Sequence, residues 1–212
     1  MVNPAATADF TAATTALAAS DPAIAPIIAQ IGPCTLGQQA KSTDLLHELA
    51  VAIIHQQISR RSAASTQAKF LALYDGGATL TAPRLLATPD ETLRAAGLSR
   101  VKIRYLRDLA TKIAAGLPSL TELARLEDEE IIKILTAIIG IGRWSVQMLL
   151  IFRLYRPDVW PSNDLAIRSA VGRFLTSEEL PKPKVVDVFG QRWQPYRTVA
   201  AWYLWRSMEI NP

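Results

Sequence analysis

The sequence predicts an all-α fold of about ten helices joined by short turns. Along most of its 212 residues, apolar side chains recur three and four positions apart, which is the spacing of one helix face. Strictly alternating, valine-rich stretches, which would indicate half-buried strands, are missing. Glycine, proline and aspartate interrupt the apolar runs at short intervals, and these residues favour turns between helices.

The first part of the chain divides at these interruptions. Residues 1–20 are rich in alanine and threonine and are predicted to form a helix from Pro4 onward. Ser20-Asp21-Pro22 indicates a helix start, because proline suits the first turn, and Gly32-Pro33 ends the apolar face that follows. Further helices are predicted over residues 45–58, 61–74, 85–96, 101–115 and 120–126.

A glycine turn between two apolar helices lies in the second part of the chain. Residues 128–138 and 144–152 both carry apolar side chains at helical spacing, and Gly140-Ile141-Gly142 lies between them. Glycine enters such a tight turn at the lowest cost. Gly142 also precedes a helix N-terminus, whose amides and positive dipole end suit a phosphate oxygen. This turn is predicted to grip one DNA strand without reading its sequence. The alternative is an ordinary helix C-cap.

A lone acid follows the second of these helices. Asp164 ends the segment Pro161-Ser162-Asn163-Asp164, where a new apolar pattern begins. The glycine turn and this aspartate together resemble the helix-hairpin-helix (HhH-GPD) superfamily of DNA glycosylases, whose mark is such a hairpin followed by a Gly/Pro-rich loop and an aspartate. The hairpin of that superfamily usually has proline before its first glycine, and Ile139 stands there in this chain. The resemblance implies catalysis by Asp164.

The C-terminal segment is richer in aromatic residues than the chain average of 7 %. From Trp193 to Trp205 it reads Trp-x-Pro-Tyr-Arg-x-x-Ala-x-x-Tyr-Leu-Trp. This pattern resembles the last helix of the 3-methyladenine DNA glycosylase II branch, and the resemblance extends from Asp21 to the C-terminus. Bacterial members often carry an additional N-terminal β-domain, for which this chain has no room, so the compact form is expected. The alternative is that the aromatic residues only fill a core.

The resemblance implies two helical lobes with a DNA cleft between them. The central lobe would cover residues 44–160, and the second would combine residues 1–43 with 161–212. The expected enzyme is a monofunctional DNA glycosylase, a hydrolase that flips out alkylated bases of the 3-methyladenine and 7-methylguanine type and cleaves the N-glycosidic bond, so starting base excision repair. The rival hypotheses are a non-catalytic helix-hairpin-helix DNA-binding module and a glycosylase of the same fold for oxidised or mismatched bases.

The resemblance also assigns residues to the base pocket. Trp144 and Trp205 match its aromatic positions, and Met148 lines it. Ring faces attract a cationic methylpurine by about 0.5–2 kcal/mol. Trp144 stands where bifunctional lyases of the superfamily carry lysine, so no lyase activity is expected. Asp164, as an ionised carboxylate, would stabilise positive charge on the sugar and orient the attacking water.

Two polar turns and the hairpin are expected to contact DNA. Gln57, at the end of an apolar helix, matches the side chain that fills the hole left by an extruded base, and Gln56 lies beside it. Arg100 opens a helix whose positively charged start opposes the helix dipole, which hints at an anionic partner. At both turns the alternative is a solvated surface. The predicted DNA-binding set is Gln56, Gln57, Arg100, Gly140, Gly142 and Arg143.

The composition limits the cofactors that can be expected. A single cysteine, Cys34, excludes an internal disulfide and an iron–sulfur cluster held by four thiolates. With only two histidines, a structural zinc site is not expected either. No cofactor is expected to be required for catalysis. By resemblance, the backbone carbonyls of Thr136, Ile138 and Ile141 are expected to hold a structural monovalent or other hard cation.

Charge and hydropathy point to the partner and the location. The net charge of +4 and the pI near 9.4 weakly favour a polyanion. Charged residues interrupt every long apolar run, so no membrane span of about 20 residues is predicted. The N-terminus lacks the basic region and apolar core of a signal peptide. We therefore expect a cytoplasmic monomer, nucleoid-associated in a bacterium, that acts on damaged double-stranded DNA.

Overall fold

A computed structural model describes residues 10–38 and 44–210, and these residues form thirteen α-helices and no β-strand. The prediction of an all-α fold is confirmed. Short 3-10 turns occupy Asp75–Gly77 and Gln191–Trp193. The α-helices are α1 (Thr11–Ser20), α2 (Ala25–Ile31), α3 (Leu45–His55), α4 (Arg60–Ala72), α5 (Ala82–Ala87), α6 (Asp90–Ala95), α7 (Arg100–Ala114), α8 (Leu120–Leu123), α9 (Asp128–Leu135), α10 (Arg143–Phe152), α11 (Leu165–Phe174), α12 (Pro183–Gly190) and α13 (Arg197–Ile210).

Compared with the predicted helices, the structure has one additional break and one additional helix. The single helix predicted over residues 85–96 is wrong: Thr88, which precedes Pro89, is extended, and this break separates α5 from α6. No helix was predicted where α12 lies, although Pro183 occupies its first turn. In the N-terminal segment the described helix begins at Thr11, and the start predicted at Pro4 lies outside the described residues.

The chain forms two compact units. As far as they are described, unit 1 comprises residues 44–146, and unit 2 comprises residues 10–38 with 147–210. Unit 2 therefore combines segments from both ends of the chain. The units divide within α10, after Val146, whereas the sequence prediction placed the division after residue 160.

Helix α7 organises unit 1. It packs against α3, α5 and α6, and its core face buries Ile103, Leu106 and Leu109 at helical spacing. The helix begins after Ser99, whose hydroxyl accepts the Lys102 backbone N–H at 3.2 Å. The stripe next to the core face is half-buried and carries Lys102, Tyr105 and Asp108.

Helix α13 organises unit 2. It packs against α1, α2 and α11, and it buries Trp202 and Tyr203. The Tyr203 hydroxyl donates to the Gly32 carbonyl at 2.9 Å, which ties α13 to the end of α2. Trp193 is fully buried, and its indole N–H donates to Asp21 at 2.8 Å. For these three aromatic residues the core alternative is therefore correct.

Candidate functional site

The hairpin turn, residues 136–142 between α9 and α10, needs glycine at one position only. Gly140 has φ +86°, in the left-handed region, and a Cβ there would overlap the ring of Tyr105. Gly142 lies outside the left-handed region, and a Cβ there would meet nothing within 4 Å. The prediction of a turn that glycine enters at the lowest cost therefore holds at Gly140, whereas at Gly142 the fold leaves room for a side chain.

Gly142 instead marks the N-terminus of α10. Its carbonyl accepts the Val146 N–H at 3.2 Å, which is the first hydrogen bond of the helix. Among the described residues, the backbone N–H groups of Gly142 and Arg143 find no acceptor. With two such donors and the positive end of the helix dipole, this end of α10 suits an anion.

Asp108 of α7 fixes the tip of the hairpin turn. Its carboxylate accepts the Ile139 backbone N–H at 2.7 Å and the Lys112 ammonium at 2.6 Å. Burial raises the pKa of Asp108, but these hydrogen bonds outweigh burial and hold the pKa below its ordinary value. A proline in place of Ile139 would have no N–H to donate. Asp108 escaped the sequence analysis because an aspartate four residues before a lysine resembles an ordinary surface pair.

The finger loop, residues 56–59 between α3 and α4, presents Gln57. Gln57 is exposed and has φ +55°, an uncommon conformation for a residue other than glycine. Gln56 is half-buried, and its side-chain amide donates to the Gly140 carbonyl at 2.8 Å. Ile58, which is not among the residues predicted to contact DNA, is 40 % exposed. An exposed apolar side chain beside the finger is of the kind that wedges between base steps.

The basic residues of unit 1 have different partners. The Lys102 ammonium donates to the Ile54 carbonyl at 2.6 Å, near the C-terminus of α3, and burial lowers the pKa of this lysine. Lys102 therefore has a partner within the fold, and the anionic partner expected at the start of α7 stays a prediction. Arg143 pairs with Glu129 through both of its terminal nitrogens, one of them at 3.0 Å. Arg100 is exposed at the start of α7.

Asp164 and Trp205 meet in unit 2. Asp164 is the N-cap of α11, and its Oδ1 atom accepts the Ile167 backbone N–H at 3.0 Å. The same oxygen accepts the Trp205 indole N–H, also at 3.0 Å. Trp205 stacks on Phe152, with ring centroids 5.6 Å apart. A cap needs only the first of these hydrogen bonds, and the second adds a restraint on the carboxylate from α13.

The other two residues predicted for the base pocket, Trp144 and Met148, belong to α10. Trp144 is 46 % exposed, which excludes a role as a core residue, and Met148 is half-buried. Trp144 belongs to unit 1 and Met148 to unit 2.

Comparison with known proteins decides the family. Residues 50–195 match the family model described as "HhH-GPD superfamily base excision DNA repair protein". The chain belongs to this superfamily. Its sequence is 37 % identical, over 164 residues, to DNA-3-methyladenine glycosylase 1 of Schizosaccharomyces pombe; the match covers 77 % of this chain and 72 % of that protein. The predicted family is therefore confirmed.

Solved structures of the superfamily share the fold. The S. pombe 3-methyladenine DNA glycosylase in complex with abasic DNA superposes with a TM-score of 0.86 at 33 % identity, covering 95 % of this chain and 98 % of that one. The DNA-3-methyladenine glycosidase of Bacillus halodurans gives a TM-score of 0.79 at 29 % identity, with 94 % and 91 % covered. The helix-hairpin-helix glycosylase fold that the sequence predicted is confirmed.

The donor set at the superfamily's hairpin fits a hard cation. Within residues 10–38 and 44–210, no three His, Cys, Asp or Glu side chains lie close enough to hold a metal ion. The Ile138 carbonyl accepts the Ile141 N–H at 3.1 Å and keeps a second lone pair. The carbonyl oxygens of Thr136, Ile138 and Ile141 are oxygen ligands, the kind that hard cations prefer. The cation stays a prediction.

Proposed function

We propose that this chain is a monofunctional DNA glycosylase that removes alkylated bases, of the 3-methyladenine and 7-methylguanine type, from double-stranded DNA and so starts base excision repair. The observation that carries the proposal is the Asp164 carboxylate, which two hydrogen bonds hold in place at the start of α11. The relatives named DNA-3-methyladenine glycosylase, and the one solved with abasic DNA, support the substrate class and the partner.

The hairpin and the finger loop would prepare the substrate. A base inside a duplex is out of reach, so its nucleotide must be flipped out, which costs a few kcal/mol in lost stacking and pairing. The N–H groups of Gly142 and Arg143 would bind a phosphate of the flipped strand. Gln57, exposed at the tip of the finger loop, would fill the space that the base leaves.

Asp164 would then act on the sugar. As the bond between C1′ and the base nitrogen breaks, its electron pair leaves with the base and positive charge develops on the sugar. An ionised carboxylate stabilises this charge and can take the proton of the water that attacks C1′. Oδ1 already accepts two hydrogen bonds, so this oxygen holds the group in place rather than taking a proton.

The aromatic residues would select the substrate. A methylated purine carries positive charge, and the electron pair of the broken bond neutralises it, so such a base leaves readily. The exposed ring of Trp144 offers a face to a cationic base. Trp144 also takes the place of the lyase lysine, and a tryptophan has no amine that could form a Schiff base with the sugar. The proposed product is therefore an intact abasic site.

Composition supports the setting of this reaction. The net charge of +4 favours binding to DNA. In the part of the chain that the structure describes, no helix has both the length and the apolar character for crossing a membrane. We propose a monomer that acts in the cytoplasm, or at the nucleoid in a bacterium.

The test is base release from duplex DNA that contains defined lesions. The protein is incubated with duplexes carrying 3-methyladenine, 7-methylguanine or 8-oxoguanine, and the released bases are separated and identified. The proposal expects both methylated purines among the products and intact abasic sites in the strand. Duplex binding without any release would favour a non-catalytic DNA-binding module. Release of 8-oxoguanine alone would favour a glycosylase for oxidised bases.

A further inference from the structure

The finger loop and the hairpin turn are joined by a direct hydrogen bond within unit 1. Gln56 donates its side-chain amide N–H to the Gly140 carbonyl at 2.8 Å, across 84 positions of sequence. Gly140 is also confined by the ring of Tyr105, which leaves no room for a Cβ. The bond therefore ends on a hairpin residue that is packed directly against Tyr105 of α7.

The backbone gives the two glutamines of the finger loop different surroundings. Gln56 is extended, with φ −61° and ψ 134°, whereas Gln57 has φ +55°. This change of conformation leaves Gln57 exposed while Gln56 is half-buried against the hairpin. A left-handed residue other than glycine is strained and persists only where its surroundings impose it.

Both flanks of the finger loop are held as well. Before it, the Lys102 ammonium donates to the Ile54 carbonyl at 2.6 Å. At its last residue, the Ser59 hydroxyl accepts the Ser62 N–H at 3.3 Å and caps α4. Hydrogen bonds thus hold both ends of the finger loop, and the Gln56–Gly140 hydrogen bond connects the loop to the hairpin turn.

We propose that Gln56 is a positioning residue that couples the insertion of Gln57 into the duplex to the grip of the hairpin on the phosphate at Gly142. This inference rests on the proposed function. The Gln56–Gly140 hydrogen bond fixes the position of the finger relative to the phosphate site, two residues beyond Gly140. A misplacement of about 1 Å at a catalytic site can lower a rate by about 100-fold, so such a bond matters beyond its contribution to stability.

The test is a double-mutant cycle between the finger and the hairpin, repeated with and without the Gln56 bond. Binding to a duplex with a tetrahydrofuran abasic analogue is measured for Gln57→Ala, Gly142→Ala and the double variant, first with Gln56 and then with Gln56→Met. Methionine keeps a similar length but cannot donate. With Gln56 present, we expect the fold-change in affinity of the double variant to differ at least ~3-fold from the product of the fold-changes of the two single variants. With Gln56→Met, it should agree with that product within ~2-fold.

Gln38→Met is the matched control. Gln38 also donates its side-chain amide to a backbone carbonyl, that of Cys34 at 3.3 Å, but in unit 2. We expect this variant to leave the coupling between Gln57→Ala and Gly142→Ala as it is with Gln56 intact. Coupling that persists with Gln56→Met, or that disappears with Gln38→Met, would overturn the proposal.

A second variant gives a readout that loss of stability alone cannot produce. In Gln56→Glu the ionised carboxylate cannot donate to the Gly140 carbonyl, whereas the protonated form can. We expect its affinity for the abasic-analogue duplex, relative to the unaltered protein, to rise at least ~3-fold as the pH falls from 8 to 5, toward the usual Glu pKa near 4.3. A ratio that does not change with pH would contradict the inference.

The two proposals fail in different ways. If the unaltered protein releases no base from methylated duplexes, the proposed function fails, whatever the cycles show. A different set of results is release of methylated bases together with two negative findings: Gln56→Met does not change the coupling between Gln57→Ala and Gly142→Ala, and the relative affinity of Gln56→Glu does not change with pH. In that case only the role of Gln56 fails.

Discussion

The indole N–H of Trp205 and the backbone N–H of Ile167 both donate to the same carboxylate oxygen, Oδ1 of Asp164, and each distance is 3.0 Å. The first donor comes from α13 and the second from α11. A single oxygen is thus held from two helices, which restricts rotation of the carboxylate. Trp205, predicted as a wall of the base pocket, has in addition a hydrogen-bonding role toward the proposed catalytic group.

The first prediction concerns this hydrogen bond. Trp205→Phe keeps an aromatic ring that can stack on Phe152 but removes the N–H donor. A hydrogen bond to a charged group contributes about 1.5–3 kcal/mol, so base release should slow by roughly 10-fold or more in single-turnover assays. The loss should be similar for cationic methylpurines and for neutral hypoxanthine, because the ring face remains.

The control introduces Trp205→Phe into a variant that lacks the carboxylate charge of Asp164. In the Asp164→Asn background, Trp205→Phe should slow the residual release much less than it does alone, since the two side chains act as one group. Equal losses in both backgrounds would mean that Trp205 acts only as packing. A selective loss on cationic bases would mean that it acts only as a pocket wall.

The second prediction concerns Asp164 itself. Asparagine caps helices as well as aspartate does, so Asp164→Asn should keep the Ile167 hydrogen bond and melt close to the unaltered protein. It lacks the charge that, in the proposed function, would face the sugar, and turnover should fall by at least ~100-fold. Binding to lesion-containing duplexes should be nearly unchanged. Near-normal single-turnover release would remove Asp164 from the catalytic role.

The third prediction separates the two hairpin glycines. Gly140→Ala forces a side chain into a left-handed residue and against Tyr105, so it should lower the unfolding free energy by more than ~1 kcal/mol. Gly142→Ala should melt normally, because its Cβ meets no protein atom within 4 Å. It should nevertheless weaken binding to every duplex, since a methyl group there would hinder approach of a phosphate. The preference among lesions should not change.

Gly116→Ala is the control for backbone strain without a clash. Gly116 has φ +96°, and a Cβ there meets nothing within 4 Å. This variant should lose stability and keep its affinity for duplex DNA. If Gly142→Ala bound all duplexes normally, the absence of a side chain at this position would have no role in binding DNA.

Local patterns in the sequence reveal part of this site, and tertiary packing determines the rest. The glycine turn and Asp164 could be predicted because each stands at a helix boundary, where residue type and backbone conformation are linked over a few residues. The same rules cannot distinguish Gly140 from Gly142, because the neighbour that excludes a Cβ at Gly140 is Tyr105 on a distant helix.

The two side chains that hydrogen-bond to the hairpin backbone could not be predicted either, because their partners are far away in the sequence. Gln56 reaches Gly140 across 84 positions, and Asp108 reaches Ile139 across 31. In the sequence, a glutamine after a helix predicts a solvated cap, and an aspartate four residues before a lysine predicts a surface pair. Only the packing of α7 and α3 in unit 1 brings these side chains to the hairpin.

The fourth prediction uses the lowered pKa of Asp108. A carboxyl group whose pKa is lower in the folded than in the unfolded protein stabilises the fold above its unfolded pKa, and this stabilisation disappears as the pH falls through the folded pKa. Asp108→Ala should therefore lower the melting temperature at neutral pH and flatten its decline on the acid side. By releasing the Ile139 N–H, it should also weaken duplex binding at pH 7.

Asp75→Ala is the control for the pH effect. The pKa of Asp75 is also lowered, by hydrogen bonds from Thr79 and Arg84, but neither partner belongs to the hairpin turn. Both variants should flatten the acid side of the stability curve, and only Asp108→Ala should bind duplex DNA less tightly. Equal binding by the two variants would show that the Asp108–Ile139 bond has no part in holding the hairpin for DNA.

The fifth prediction concerns Arg143, the first residue of α10. Its guanidinium pairs with Glu129, and both side chains are well exposed, at 51 % and 72 %. Exposed ion pairs contribute only about 0–1 kcal/mol, so Glu129→Gln should hardly change the melting temperature. It should, however, release Arg143 for a phosphate and remove a negative charge beside the hairpin. We expect tighter binding to all duplexes, by roughly 2- to 5-fold at low salt.

The salt dependence identifies the cause of this gain. A new phosphate contact releases condensed counterions, so the slope of log affinity against log salt should steepen by up to ~0.9 per contact for Glu129→Gln. Glu209→Gln is the matched control, because it breaks a similarly exposed pair with Arg206 in unit 2. If Glu129→Gln and Glu209→Gln increase the affinity for duplex DNA equally, the increase reflects the change in net charge alone. If Glu129→Gln gains nothing, Arg143 does not contact the phosphate, and the hairpin grips DNA through its backbone amides.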